Sequence, residues 1–197
     1  MTEQSAATEL RSQGHPIGDV YLSRAEIAGR VCELGAALAA TLAGREPLLV
    51  APLKSSVVFL ADLSRALPTP HAIDTVELSP YGTGGPGGGV RMLKDLDAPI
   101  AGRDVVVVED VVDTGMTLAF LTRSFAERAP ASVTAVTLLD RPYRRLVDDL
   151  PLRHVGFTGP DELFAGYGLG LDERWRALPD LHLVVADELP AVLDVAS

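Results

Sequence analysis

Apolar residues in this chain come in short unbroken runs that alternate with stretches of helical period. Ile17–Leu22 reads as a short strand. Ser23 with Glu26 three residues on forms a capping box, after which Ile27, Val31, Leu34, Leu38 and Leu42 fall on one helical face. Pro47 introduces a second strand, Leu48–Leu53, and a helical pattern over 57–67 is closed by Pro68 and Pro70. Ala72–Leu78 reads as a third strand, and extended character resumes over 90–96. The densest run is Val105–Val108, four valines bounded by turn residues, which predicts a strand buried on both faces. A helix over 118–129 and a strand over 133–139 follow. Strands alternating with helices predict an α/β chain whose mostly parallel sheet is flanked by helices. Residues 1–16 are polar with Gly14 and Pro16 and predict a loose tail; 17–197 predict a single domain.

Composition narrows the classes. At 197 residues and 47% hydrophobic, the chain can bury a core of its own. The net charge of −10 lacks the basic footprint of a nucleic-acid-binding surface, so no nucleic-acid partner is expected. Cys32 is the single cysteine, which excludes an internal disulfide and suits a reducing cytoplasm. Its place in a helical pattern predicts a small core residue. No run approaches a membrane span, and the N-terminus has no charged-then-apolar leader, so no membrane partner is expected. Lys54 and Lys94 are the only lysines among 17 basic residues, so any cation here is arginine by default.

Chemistry gathers directly after the valine run. Glu109 and Asp110 follow it at once, and adjacent acids at the tip of a buried strand are costly unless the tip opens into a ligand crevice. Asp113, Thr114, Gly115, Met116 and Thr117 come next, ahead of the apolar helical pattern Leu118, Phe120, Leu121. Gly115 permits backbone angles closed to other residues, the threonines supply hydroxyls, and the helix start offers free N–H groups to an anion. Acids for sugar hydroxyls or a cation, beside a nest for a phosphate, describe a site for a phosphorylated sugar. The alternative is a loop whose Asp and Thr only cap a helix. Residues 81–90, YGTGGPGGGV, carry six glycines in ten positions and read as a flexible connector, one that is unusual inside a compact domain unless it moves.

The segment VVVVEDVVDTGMT closely resembles the phosphoribosyl pyrophosphate (PRPP) motif of the type I phosphoribosyltransferases, in particular that of the hypoxanthine-guanine branch. PIGDVYLSRAEIAGRV, LLVAPLKSSVVFLADLSRAL and HVGFTGPDELFAGYGLGLDERWRALPDLHLVV resemble further segments of that branch, so the likeness spans about residues 17–185. It implies the type I fold with a small hood that binds the base through a C-terminal segment, about 154–185. A lid hairpin, about 79–92, would carry Tyr81 and Gly82 over the substrate and exclude water. The implied reaction transfers the phosphoribosyl group from PRPP to a purine, either a 6-oxopurine or a modified purine-like base such as xanthine or a deazapurine. A PRPP-binding regulator is the contrasting possibility, against which the negative charge argues.

Roles follow from the same resemblance, residue by residue. Glu109 and Asp110 would hold the ribose hydroxyls and a magnesium ion; the nest 113–117 would hold the 5′-phosphate; Asp113 would serve as general base. Lys54, Ser55 and Ser56 occupy the pyrophosphate loop, with Ser55 where the family usually has glycine, and Arg176 matches an arginine near the diphosphate. Arg141 stands where the family has a lysine that recognises the exocyclic oxygen of the base. The base-stacking aromatic aligns with Leu163, or with Phe164 after a shift of one. Gly170 replaces an acid of the family, for which Asp172 is a candidate substitute. Pro80 precedes Tyr81 where serine is common. Tyr167 and Trp175 are expected in the core. Family members form dimers or tetramers, so a homodimer or homotetramer is expected.

Overall fold

The computed structural model describes residues 4–79, 90–171 and 173–185. In chain order the elements are α1 (Gln4–Ser12), β1 (Ile17–Leu22), α2 (Arg24–Leu42), β2 (Leu48–Leu53), α3 (Val57–Ala66), β3 (Ala72–Leu78), β4 (Met92–Lys94), β5 (Asp104–Val112), α4 (Met116–Ala126), β6 (Ser132–Asp140), a 3-10 turn at Pro142–Arg144, β7 (Leu152–Thr158), β8 (Phe164–Ala165) and β9 (Leu181–Val184).

Six strands form the central sheet in the order β4-β3-β2-β5-β6-β7, and three form a second sheet, β1-β9-β8. In the central sheet every pairing is parallel except β3 with β4. Parallel strands need both faces covered, and the two halves of the core supply that. On one face Phe59, Leu60 and Leu63 of α3 and Val31, Leu34 and Leu38 of α2 pack on Leu49, Val106 and Val108. On the other, Leu118, Leu121 and Phe125 of α4 pack on Leu48, Val50, Val105 and Val107. The alternation of β5 side chains between the two clusters explains why its valines run without a polar break. The second sheet joins the N-terminal strand to the C-terminal segment and carries its own small cluster around Ile17, Ala165 and Val184. It is the hood expected from the resemblance.

The capping box at Ser23 is formed as predicted: its hydroxyl accepts from the Glu26 N–H while the Glu26 carboxylate accepts from the Ser23 N–H. Three expectations need correction. Residues 4–12 form a helix rather than a loose tail, tied down by Arg11, which donates to the Ile17 carbonyl and pairs with Asp19. Cys32 is exposed, one position along from the buried stripe that includes Val31. The central strand does not stop at Val108 but runs through both acids to Val112, because β6 pairs with it past them, Glu109 opposite Thr137 and Val112 opposite Asp140.

Candidate active site

All of the central strands but β4 end on the side where the loops after β2, β5 and β6 gather, as ligand crevices do in parallel sheets. Glu109 is 4% exposed and Asp110 7% exposed, so neither acid faces bulk solvent. Being neighbours in a strand, they point to opposite faces. Glu109 lines a cavity of about 110 Å³ together with Asp113, Thr114, Gly115 and Thr117. Burial first, and the charge of Asp110 second, push the Glu109 carboxyl well above the usual carboxylate range. Asp110 turns instead toward the loop after β2, where its Oδ1 accepts from the Ser56 hydroxyl at 3.0 Å and its N–H donates to the same hydroxyl at 3.2 Å.

The turn at Gly115 within the loop 113–117 takes the conformation expected of it. Gly115 adopts φ 82°, the left-handed region that favours glycine, and stands at the N-cap of α4. Thr114 Oγ1 accepts from the Met116 N–H at 3.4 Å, while the Met116 side chain points away, into a separate cavity shared with Phe120 and Arg123. The loop is braced from outside by a residue that sequence reasoning missed. A Cβ on Gly115 would come within 3.4 Å of the Arg145 side chain, whose guanidinium pairs with Asp140, and the Leu146 N–H donates to the Thr114 carbonyl.

In the turn after β2, Ser56 sits at the N-cap of α3 without capping it, because its hydroxyl is engaged by Asp110. Lys54 pairs with Glu173 at 2.8 Å, and the other oxygen of Glu173 takes Arg176 at 3.2 Å. Arg176 also donates to the Gly168 carbonyl. The two cations expected beside the diphosphate are thus brought together through a shared acid. Gly168 lies against the turn: a Cβ there would stand 2.3 Å from the Ser55 carbonyl oxygen. Gly170 has a local reason as well, since a Cβ would meet the Arg176 side chain at 2.8 Å. Asp172, Tyr81 and Gly82, and with them the tip of the expected lid, lie outside the described residues. The base of that hairpin is described, with β3 antiparallel to β4 and Ser79 and Arg91 hydrogen-bonded to each other twice.

Arg141 is buried at the end of β6 and reaches two acids, Asp161 at 2.9 Å and Asp113 at 3.5 Å. Asp161 also takes Arg144. Two polar atoms of this group, Asp113 Oδ1 and Arg141 Nε, are buried with no hydrogen-bond partner among the described residues. Phe164 is 7% exposed, its ring 5.1 Å from that of Tyr21 and 5.9 Å from the Arg141 guanidinium carbon. Its ring therefore belongs to the core beneath Arg141 and offers no open face. Leu163 is half-buried at the edge of the hood cluster. Tyr167 is core, as expected, with its hydroxyl donating to Asp62 at 2.6 Å, and Trp175 packs against the hood and His15.

The family description that matches this chain is the phosphoribosyl transferase domain, over residues 21–158. Among curated relatives, the hypoxanthine phosphoribosyltransferase of Salmonella typhimurium is 42% identical over 170 residues, covering 85% of this chain and 95% of its own. The hypoxanthine-guanine phosphoribosyltransferase of Bacillus subtilis is 40% identical, covering 84% and 92%. A crystal structure of a hypoxanthine-guanine phosphoribosyltransferase from Bacillus anthracis is 40% identical, with a TM-score of 0.79, covering 86% of this chain and 99% of that one.

Proposed function

The chain belongs to the phosphoribosyltransferase family, and from that premise we propose that it transfers the 5-phosphoribosyl group of PRPP to a 6-oxopurine, hypoxanthine or guanine, releasing pyrophosphate. One observation carries the choice of base. Asp113, part-exposed and lining the cavity beside the phosphate loop, offers an acceptor, and the Arg141 guanidinium, 3.5 Å from its Oδ2, offers only donors. A ligand edge that pairs with both charged groups is favoured, because each then keeps a charge-assisted hydrogen bond. A 6-oxopurine presents a ring N–H and a carbonyl oxygen on one edge, the complementary pair. A 6-aminopurine would turn a donor toward the guanidinium, which has none but donors to offer.

In this reading the amides and hydroxyls of 113–117 hold the 5′-phosphate, with the positive end of α4 behind them. Glu109, which lines the cavity beside that loop, holds the ribose hydroxyls. Asp113 takes the proton of the base as the ring nitrogen attacks. Lys54, Ser55 and Arg176 meet the diphosphate, while Ser56, expected beside them, lies buried under the turn on Asp110. Arg141 holds the exocyclic oxygen, and Leu163 covers the base. The bond from the sugar to pyrophosphate breaks as the bond to the base nitrogen forms, and positive charge on the ribose is stabilised by the nearby acids.

Magnesium fits the residues present. The Glu109 carboxyl lines the cavity beside the phosphate loop and has no cationic side chain among that cavity's lining residues. No cluster of three or more acidic, histidine or cysteine ligands occurs among the described residues. Magnesium commonly takes one or two carboxylates and draws its other ligands from water and substrate phosphates. Glu109, on the side of the phosphate loop, would hold it, and when bound it would offset the charge of the diphosphate; Asp110, expected as a second ligand, turns to the opposite face and holds Ser56 instead. Among the described residues no helix is long and apolar enough to cross a membrane. A cytoplasmic homodimer or homotetramer completes the proposal.

Leu163 and the buried Phe164 ring also support a second reading. A base lacking an aromatic partner forgoes about 0.5–1.5 kcal/mol, which would favour a base held more by its polar edge, xanthine or a deazapurine. The test is incubation with PRPP, magnesium and hypoxanthine, guanine, xanthine, 7-deazaguanine or adenine in turn, following nucleotide formation. Turnover of hypoxanthine or guanine and none of adenine is expected. Turnover of xanthine or the deazapurine alone would establish the second reading, and no turnover with any base would overturn both.

A further inference from the structure

Arg141 is held between two carboxylates, and the two grips are unequal. Its Nη2 lies 2.9 Å from Asp161, an ordinary charge-assisted hydrogen bond, while its Nη1 lies 3.5 Å from Asp113, at the outer limit of one. The side chain is 7% exposed, so it has little water to fall back on. Asp161 is itself fixed from the far side by Arg144. It lies between β7 and β8, so the contact joins the base-binding segment to the end of β6.

We propose that Asp161 is a positioning residue for the base: it draws the Arg141 guanidinium away from Asp113 and keeps the Asp113 carboxylate open to the purine N–H. The inference deepens the reading of this pocket as the base site and rests on it. Without Asp161, Asp113 is the one carboxylate left in contact with Arg141 among the described residues, and a buried guanidinium closes on the partner it has. A closed Arg141–Asp113 pair would satisfy the atoms that the base must reach. Both Arg144 first and Arg141 second hold the Asp161 carboxyl below the usual carboxylate range, so it stays charged across the working pH range. Asp161 touches neither base nor ribose in this scheme. It acts only through Arg141.

Asp161→Asn, isosteric and on an exposed loop side chain, is compared with the unaltered chain in steady-state transfer and in calorimetric binding of GMP and of PRPP with magnesium. Loss of a charge-assisted contact predicts a fall of about tenfold in kcat/KM for the base. GMP binding should weaken to a similar extent, while KM and affinity for PRPP stay within about twofold. In an Arg141→Ala background, the same change at Asp161 should have almost no further effect, because the residue through which it acts is gone. Equal losses in both backgrounds, or parallel losses of PRPP and GMP affinity, would overturn the proposal in favour of a general structural role. If the unaltered chain transferred to no purine while Asp161→Asn still weakened GMP and spared PRPP, the transfer reading would fall and the positioning role would stand.

Discussion

Ser56 offers a sharp test of how the two ends of the site are tied together. A serine directly before a helix is ordinarily an N-cap, and its loss then costs about 1 kcal/mol. Here Ser56 has φ −73° and ψ −7°, makes no cap bond, and is fully buried with its hydroxyl on Asp110. Ser56→Ala removes both a hydroxyl donor to a buried carboxylate and the acceptor for the Asp110 N–H. A hydrogen bond to a charged group contributes about 1.5–3 kcal/mol. For a chain of this size each kcal/mol moves Tm by about 2–4 °C, so a fall of about 3–12 °C is expected. Ser56→Asp separates the two accounts. Aspartate caps helices about as well as serine, so a capping role predicts near-native stability. Pairing with Asp110 predicts that Ser56→Asp is worse than Ser56→Ala, since it drives a second carboxylate against a buried one. Thermal melts and urea titrations of the two variants decide it. Ser56→Asp equal to or more stable than Ser56→Ala would refute the reasoning.

Other outcomes follow from neighbouring residues. Gly168→Ala at φ 95° should cost about 1–3 kcal/mol in backbone strain. Its Cβ, 2.3 Å from the Ser55 carbonyl, should also displace the turn and raise KM for PRPP more than KM for the base; stability and the two KM values measure both. Asp113→Asn should retain PRPP affinity and slow transfer by about two orders of magnitude or more; unchanged transfer would remove Asp113 from the chemistry. Burial first and Arg153 second hold the His154 imidazole below its ordinary 6.5, so the folded chain binds that proton more weakly than the unfolded one. Stability is therefore unaffected above about pH 6.5 and declines as pH falls below it, and His154→Asn should remove that part of the decline in melts between pH 5 and pH 8.

The parts of this protein legible in its sequence are those fixed by neighbours in the chain. The valines of β5, the capping box at Ser23 and the turn at Gly115 each state their conformation locally, and the structure has all three. The resemblance around residues 105–117 located the acids and the loop, because that motif is contiguous. The contacts that sequence did not disclose join residues far apart. Ser56 meets Asp110 at a separation of 54 positions, Lys54 meets Glu173 at 119, and Arg141 meets Asp161 at 20. Nothing in the local pattern distinguishes Asp161, Glu173 or Arg145 from solvated surface charges. The loose tail expected before Ile17 failed for a similar reason: helix α1 is anchored by contacts outside itself, Arg11 to β1 and Leu10 against the hood cluster. The spacing of Gly168 and Gly170 is explained only once Ser55 and Arg176 are seen against them.

The central claim concerns a single pocket, with the phosphate in the loop after β5 and the base between Asp113 and Arg141. A crystal structure of the protein with GMP tests it most directly. The account predicts the 5′-phosphate on the amides of residues 114–117, and the guanine carbonyl oxygen within hydrogen-bond distance of the Arg141 guanidinium. A nucleotide whose phosphate lies away from that loop, or whose base leaves Arg141 and Asp113 untouched, would contradict it.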